Sequence, residues 1–172
     1  MASFFRKLFG GSEPALPGNL SDLRVDMHSH LLPGLDDGAE DLERSLELVE
    51  KMVGFGYQKL IMTPHIMGDF YKNTPEGIQE KLALLQQAVT EKGWKIELAC
   101  AAEYYLDEWF MERLAKNDKL LTFGKNYLLF ETSYINEPRF LKEGILPCSR
   151  QDISRLWPTR NAILICMESS MT

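Results

Sequence analysis

Nowhere in its 172 residues does the chain hold an uninterrupted apolar run of the eighteen or so positions that a membrane-spanning helix needs. It also lacks a basic block. The formal net charge is −6 and the pI about 5.1, so nucleic acid is not an expected partner. Cysteine is scarce: Cys100, Cys148 and Cys166 form an odd set without paired spacing. That argues against a disulfide framework and suits a reducing cytoplasm. The opening stretch MASFFRKLFGG is too short in its apolar part for a signal peptide and reads as a frayed tail, with weak surface docking as the alternative. What remains is ordinary globular composition, 45% hydrophobic and 26% charged, enough for one domain with a core.

Residues 1–20 read as a tail and linker, with Gly and Pro frequent from position 10. A pattern then repeats: a short apolar run, a polar end, a loop, a helix. The runs are Leu23 to Met27, Lys59 to Met62, Ile96 to Ala102 and Tyr127 to Phe130. Leu42, Leu46, Val49 and Val53 recur at helical spacing until Gly54 and Gly56 stop them. Thr74-Pro75 opens a second helix with a capping residue and a proline at the first helical position. Its buried stripe is Ile78, Leu82, Leu85 and Val89, and a short helix follows around Trp109 to Leu114. Such serial units predict an α/β fold with parallel strands and right-handed crossovers. Open sheets and barrels both fit, and in both the chemistry gathers at the carboxyl ends of the strands.

Histidine is as scarce as cysteine, yet all three histidines lie at such ends. His28 and His30 follow the first run, in DMHSHLLPGLDDGA, and His65 follows the second. Glu103 follows the third. Residues two apart in an extended segment point to the same side, so His28 and His30 can reach one ion together. Imidazole and carboxylate suit divalent Mn, Fe or Zn. Asp36 and Asp37 lie on a glycine-flanked loop able to fold back over the site. Each feature also has a plain structural explanation: a histidine pair capping a strand, D-D-G as a turn, Glu103 paired with a surface lysine. Their shared position at strand ends favours a metal site. Glu131 is read as structural and left outside it.

The segments DMHSHLLPGLDDGA, LIMTPHIMGDFYKNTPE and ACAAEYYLDE, in that order, resemble the PHP-family (polymerase and histidinol phosphatase) protein-tyrosine phosphatases of bacterial capsule and exopolysaccharide operons. The resemblance runs from about Val25 to Pro138. It implies the N-terminal part of a distorted (β/α)7 TIM-like barrel in residues 21–141. It also implies a manganese-dependent set of two or three ions, with Fe or Zn as alternatives. Carried over by motif, His28, His30, Asp37, His65 and Glu103 look like metal ligands, with Asp36 beside them. No protein side chain is assigned a catalytic role: a hydroxide held by the ions would attack phosphorus while the ions neutralise the phosphoryl oxygens. The implied substrate is a phosphotyrosine protein, the tail of a membrane tyrosine kinase controlling polysaccharide export. Thiol chemistry is excluded. It needs His-Cys, five residues and Arg, whereas Cys148 follows Pro147 and the required position holds Ser154.

Beyond about Leu141 the resemblance stops, and no histidine follows His65. The stretch QDISRLWPTRNAI, back-translated and read one frame over, permits Gly-Tyr-Ile-Pro-Val-Leu-Ala-His-Pro-Glu-Arg-Tyr without interruption. That is the strand and HPERY motif the resemblance implies next. Residues 142–172 are therefore expected to be an irregular, out-of-frame tail; a genuinely divergent tail is the competing reading. The chain is then expected to have open strand edges, incomplete metal ligation and impaired activity. Two other readings stay open. One is a different H-x-H metal hydrolase, of histidinol-phosphatase or amidohydrolase type. The other is an inactive fragment that serves only as a binding module.

Overall fold

The structure, a computed structural model, describes residues 22–133 except 117 and 125, together with the backbone of 157–158 and 162–166. The expectations for residues 1–20, and most of those for 142–172, lie outside the described residues.

The elements follow the predicted alternation. Strand β1 is Val25–Asp26, helix α1 Leu42–Gly54, β2 Lys59–Met62, β3 His65–Ile66 and α2 Pro75–Glu91. Then come β4 Glu97–Cys100, β5 Glu103–Tyr105, α3 Glu108–Ala115 and β6 Tyr127–Glu131. Each helix begins where a side-chain oxygen accepts from an otherwise unpaired first-turn N–H. Asp41 accepts from Arg44 N at 2.8 Å, Thr74 from Gly77 N at 3.1 Å and Asp107 from Phe110 N at 2.8 Å. The stripe predicted for α2 is buried at Ile78, Leu85 and Val89, and Leu82 packs on the core's margin. These side chains meet Leu60, Met62 and Leu98 of the strands and Val49 of α1, forming the core on which the strand tips rest.

The strands pair in two sheets, in the orders β1-β2-β4 and β3-β5-β6-β8-β7, where β7 is Trp157–Pro158 and β8 Ala162–Cys166. From β1 to β6 all pairings are parallel. The two sheets share one register. Met62 faces Cys100 before the break and His65 faces Glu103 after it, the same offset along the chain. Backbone bonds bridge the gap: Ala101 N donates to Met62 O, Glu103 N to Pro64 O and Thr63 N to Ser29 O. The ladder is interrupted at Thr63-Pro64, where proline has no N–H to give.

This is a mixed α/β fold of small parallel sheets, and the described residues do not form a closed barrel. Two expectations change. His65 and Glu103 do not follow their strands; each opens the short strand that resumes beyond the break. The C-terminal tail is not wholly irregular: β8 pairs antiparallel with β6, and β7 with β8, as the two β-branched isoleucines in AILIC favour.

Candidate metal centre

The ladder break turns three strand tips towards one point, and Glu103 sits there, 3% exposed despite its charge. Its Oε1 lies 3.7 Å from His28 Nε2, while its Oε2 lies 3.4 Å from His30 Nε2 and 3.3 Å from His65 Nδ1. The histidine rings crowd together, with centroids 5.3 Å apart for His28 and His30 and 4.6 Å for His30 and His65. Asp37 reaches the far side of His65, its Oδ1 3.8 Å from Nε2. All five residues expected from the sequence are therefore brought together, and among the described residues Glu103 has no lysine for a partner.

Glu131, expected to be structural, lies beside the cluster: its Oε2 is 3.6 Å from His65 Nδ1, at the end of β6 beside Glu103. The signal was present in the sequence: Glu131 ends the fourth apolar run as Glu103 ends the third.

Side chains behind the cluster fix which nitrogen faces it. His28 Nδ1 lies 2.6 Å from Thr63 Oγ1, a fully buried hydroxyl in the ladder break, so Nε2 is turned to Glu103. His30 Nδ1 lies 2.7 Å from Asp36 Oδ2, again leaving Nε2 to face inward. Asp36 is itself held, accepting from His65 N at 2.9 Å and Gly38 N at 3.0 Å. Thr63 was missed by sequence reasoning, since nothing local separates it from any threonine preceding a proline. Gly38 is required for steric reasons: a Cβ there would lie 2.1 Å from His30 O.

The charges in the cluster shift one another. Burial and the neighbouring Glu103 charge push the Glu131 carboxyl up. Burial opposes a charge on His30, but hydrogen bonds to Asp36 and Glu103 outweigh it and raise the imidazole to about 10. Asp36 is also buried, yet the hydrogen bonds from His30, His65 N and Gly38 N hold it below the usual carboxylate range. Burial lowers His28.

The donor set fits a divalent cation. Ligand atoms about 2.1 Å from one ion stand roughly 3–3.4 Å from each other, close to the separations around Glu103. Three groups have all their donor atoms within 4.8 Å of one another: His28, His30 and Glu103; His30, Asp37 and His65; His65, Glu103 and Glu131. Moreover, His65 Nδ1 is buried with no hydrogen-bond partner. A cation between this nitrogen and the two carboxylates would give the orphaned atom a partner.

Known proteins share this segment. The chain is 29% identical over 119 residues to the tyrosine-protein phosphatase YwqE of Bacillus subtilis, covering 69% of this chain and 47% of that protein. It is 25% identical over 121 residues to the tyrosine-protein phosphatase CpsB of Streptococcus pneumoniae, covering 70% and 50%. A solved chain from work on YwqE and CpsB, described as unique metal-dependent tyrosine phosphatases, superposes with a TM-score of 0.62 at 29% identity. It covers 69% of this chain and 48% of its own length. The chain thus spans about half the length of the curated relatives it matches. Residues 24–151 match the family model for capsular polysaccharide synthesis, CpsB/CapC, and the chain belongs to that family.

Proposed function

We propose that this chain carries the metal-binding half of a phosphatase that hydrolyses phosphotyrosine in proteins. The observation that carries the reading is the convergence of His28, His30 and His65 on the buried Glu103. His28, His30 and Glu103 would hold a divalent cation, with His65 beside them as a further donor. Asp37 and Glu131 would add further carboxylate donors. When bound, divalent cations supply Lewis acidity to the phosphoryl oxygens and a source of hydroxide at neutral pH. The protein's part is to hold the donors still: Thr63 and Asp36 fix the two imidazoles. The leaving group needs modest help, since a phenol has a pKa near 10.

Mn2+ is the ion we assign, because mixed imidazole and carboxylate donors suit it. The partner we assign is a phosphotyrosine protein of polysaccharide export, a membrane tyrosine kinase, met in the cytoplasm. Among the described residues no helix is long and apolar enough to cross a membrane. The unreversed strand order from β1 to β6 supports the N-terminal part of a distorted (β/α)7 barrel. A slipped reading frame between about residues 141 and 151 remains our account of the sequence beyond, and the nucleotide sequence there tests it.

A second reading, metal binding without turnover, is favoured by the chain's half-length match to its relatives. Calorimetric titration with Mn2+, followed by hydrolysis of a phosphotyrosine peptide, separates the two. Binding with manganese-stimulated turnover supports the phosphatase. Binding alone selects the second reading, and no binding removes both. Turnover of histidinol phosphate or a cyclic amide in preference to phosphotyrosine would point to another hydrolase.

A further inference from the structure

Between β3 and α2 the chain makes a loop clamped on two sides. Met67 N donates to Tyr71 O at 2.8 Å, and Gly68 N donates to Asp107 Oδ2 at 2.9 Å. Gly68 lies so close to α3 that a Cβ there would stand 2.9 Å from Trp109 Cβ. Asn73 Nδ2 donates to both Leu35 O and His65 O at 2.8 Å, tying the loop to the metal centre. The apex of this braced loop is Phe70, 82% exposed. A large apolar ring held in water by a fixed backbone calls for an explanation. Beside it opens a cavity of about 530 Å³, lined by Phe70, Met67, Tyr105, Asp69 and Asp107, and reaching Glu131 of the metal centre. The described metal groups leave the rest of this cavity unused.

We propose that the cavity receives the aromatic ring of a phosphotyrosyl side chain, which stacks on Phe70 with its phosphate directed past Glu131 onto the metal centre. The inference rests on the phosphatase reading and adds what that reading leaves open, the selection of aromatic over aliphatic phosphomonoesters. The volume is that of a small-ligand site, and Phe70, Met67 and Tyr105 give it an apolar wall facing the polar Asp69, Asp107, Glu131, Thr132 and Ser133. Aromatic rings in offset or edge contact gain beyond simple burial, and a fixed loop loses little freedom in making that contact. The acidic groups Asp69, Asp107 and Glu131 repel the phosphate as well as acidic flanking residues, so the phosphate is drawn by the cations at the metal centre and basic flanking residues are favoured.

The test uses the full chain loaded with Mn2+ and two non-hydrolysable probes, phenylphosphonate and methylphosphonate, titrated calorimetrically. Phenylphosphonate is expected to bind about three- to ten-fold more tightly. Phe70→Ala should erase that preference while leaving methylphosphonate affinity unchanged, and Phe70→Tyr should restore it. Equal affinity for the two probes in the wild type, or a preference that survives Phe70→Ala, overturns the subsite and leaves the phosphatase reading standing. Failure to bind either phosphonate overturns both.

Discussion

Glu103 divides the metal centre into two arms built differently. On one side His28 and His30 are each fixed from behind, by Thr63 and Asp36. On the other, no side chain among the described residues hydrogen-bonds to the His65 ring; Tyr71 stacks on it, centroids 5.6 Å apart and planes 12° apart. Its Nδ1, facing Glu103 and Glu131, is the orphan. The first arm is organised before any ion arrives, whereas the second waits for one to define it. Hydrogen bonds from behind set both tautomer and direction, and stacking constrains only the ring plane.

Removing what the arms share should have the largest effect. Glu103→Gln keeps the volume and deletes the charge, so Mn2+ affinity is expected to fall more than about 100-fold in calorimetry, beyond the range typical of outer-sphere changes. Retained affinity would mean the arms act without a common carboxylate. Next comes the fixed arm. Thr63→Val preserves shape and removes the hydroxyl that orients His28; a loss of about 10-fold is expected. Nitrogen chemical shifts should show His28 losing its single tautomer, a change that general destabilisation would not produce. Tyr71→Leu, on the looser arm, should cost only about three-fold. If it cost more than Thr63→Val, the ranking of the two arms would be reversed.

The smallest expected effect lies away from both arms and serves as their control. Tyr104 is buried, its hydroxyl accepting from Leu121 N at 2.8 Å. Burial, helped by Glu76, pushes the phenol up from 10.0 to about 12. Above pH 10 the unfolded phenol releases its proton while the folded one keeps it. Stability therefore falls as pH rises from about 10 to about 12, by at most about 1.4 kcal/mol per unit. Denaturant midpoints across that range should show the slope, and Tyr104→Phe should flatten it without changing metal affinity at neutral pH.

Much of this was legible in the sequence, for identifiable reasons. Alternation of short apolar runs with amphipathic helices gave the element order, and Thr74 marked one helix start, whereas the caps Asp41 and Asp107 were seen only in the structure. Polar residues ending apolar runs pointed to His28, His30, His65 and Glu103. Glu131 carried the same mark and was passed over because one acidic residue at a strand end is ordinary. Thr63 and the division into two sheets were not legible. Both depend on a gap in hydrogen bonding between strands far apart in sequence, and single-strand periodicity carries no trace of it. The exposed Phe70 was equally invisible, since an aromatic residue in a loop gives no sign of which way it points.

The antiparallel seat of β8 against β6 has a consequence for reassembly. A parallel strand supplied by a separate polypeptide, in a complementation experiment, would have to displace 162–166 from that margin before it could pair. Deleting this segment should therefore speed capture of such a fragment, whereas tethering it in place should block capture.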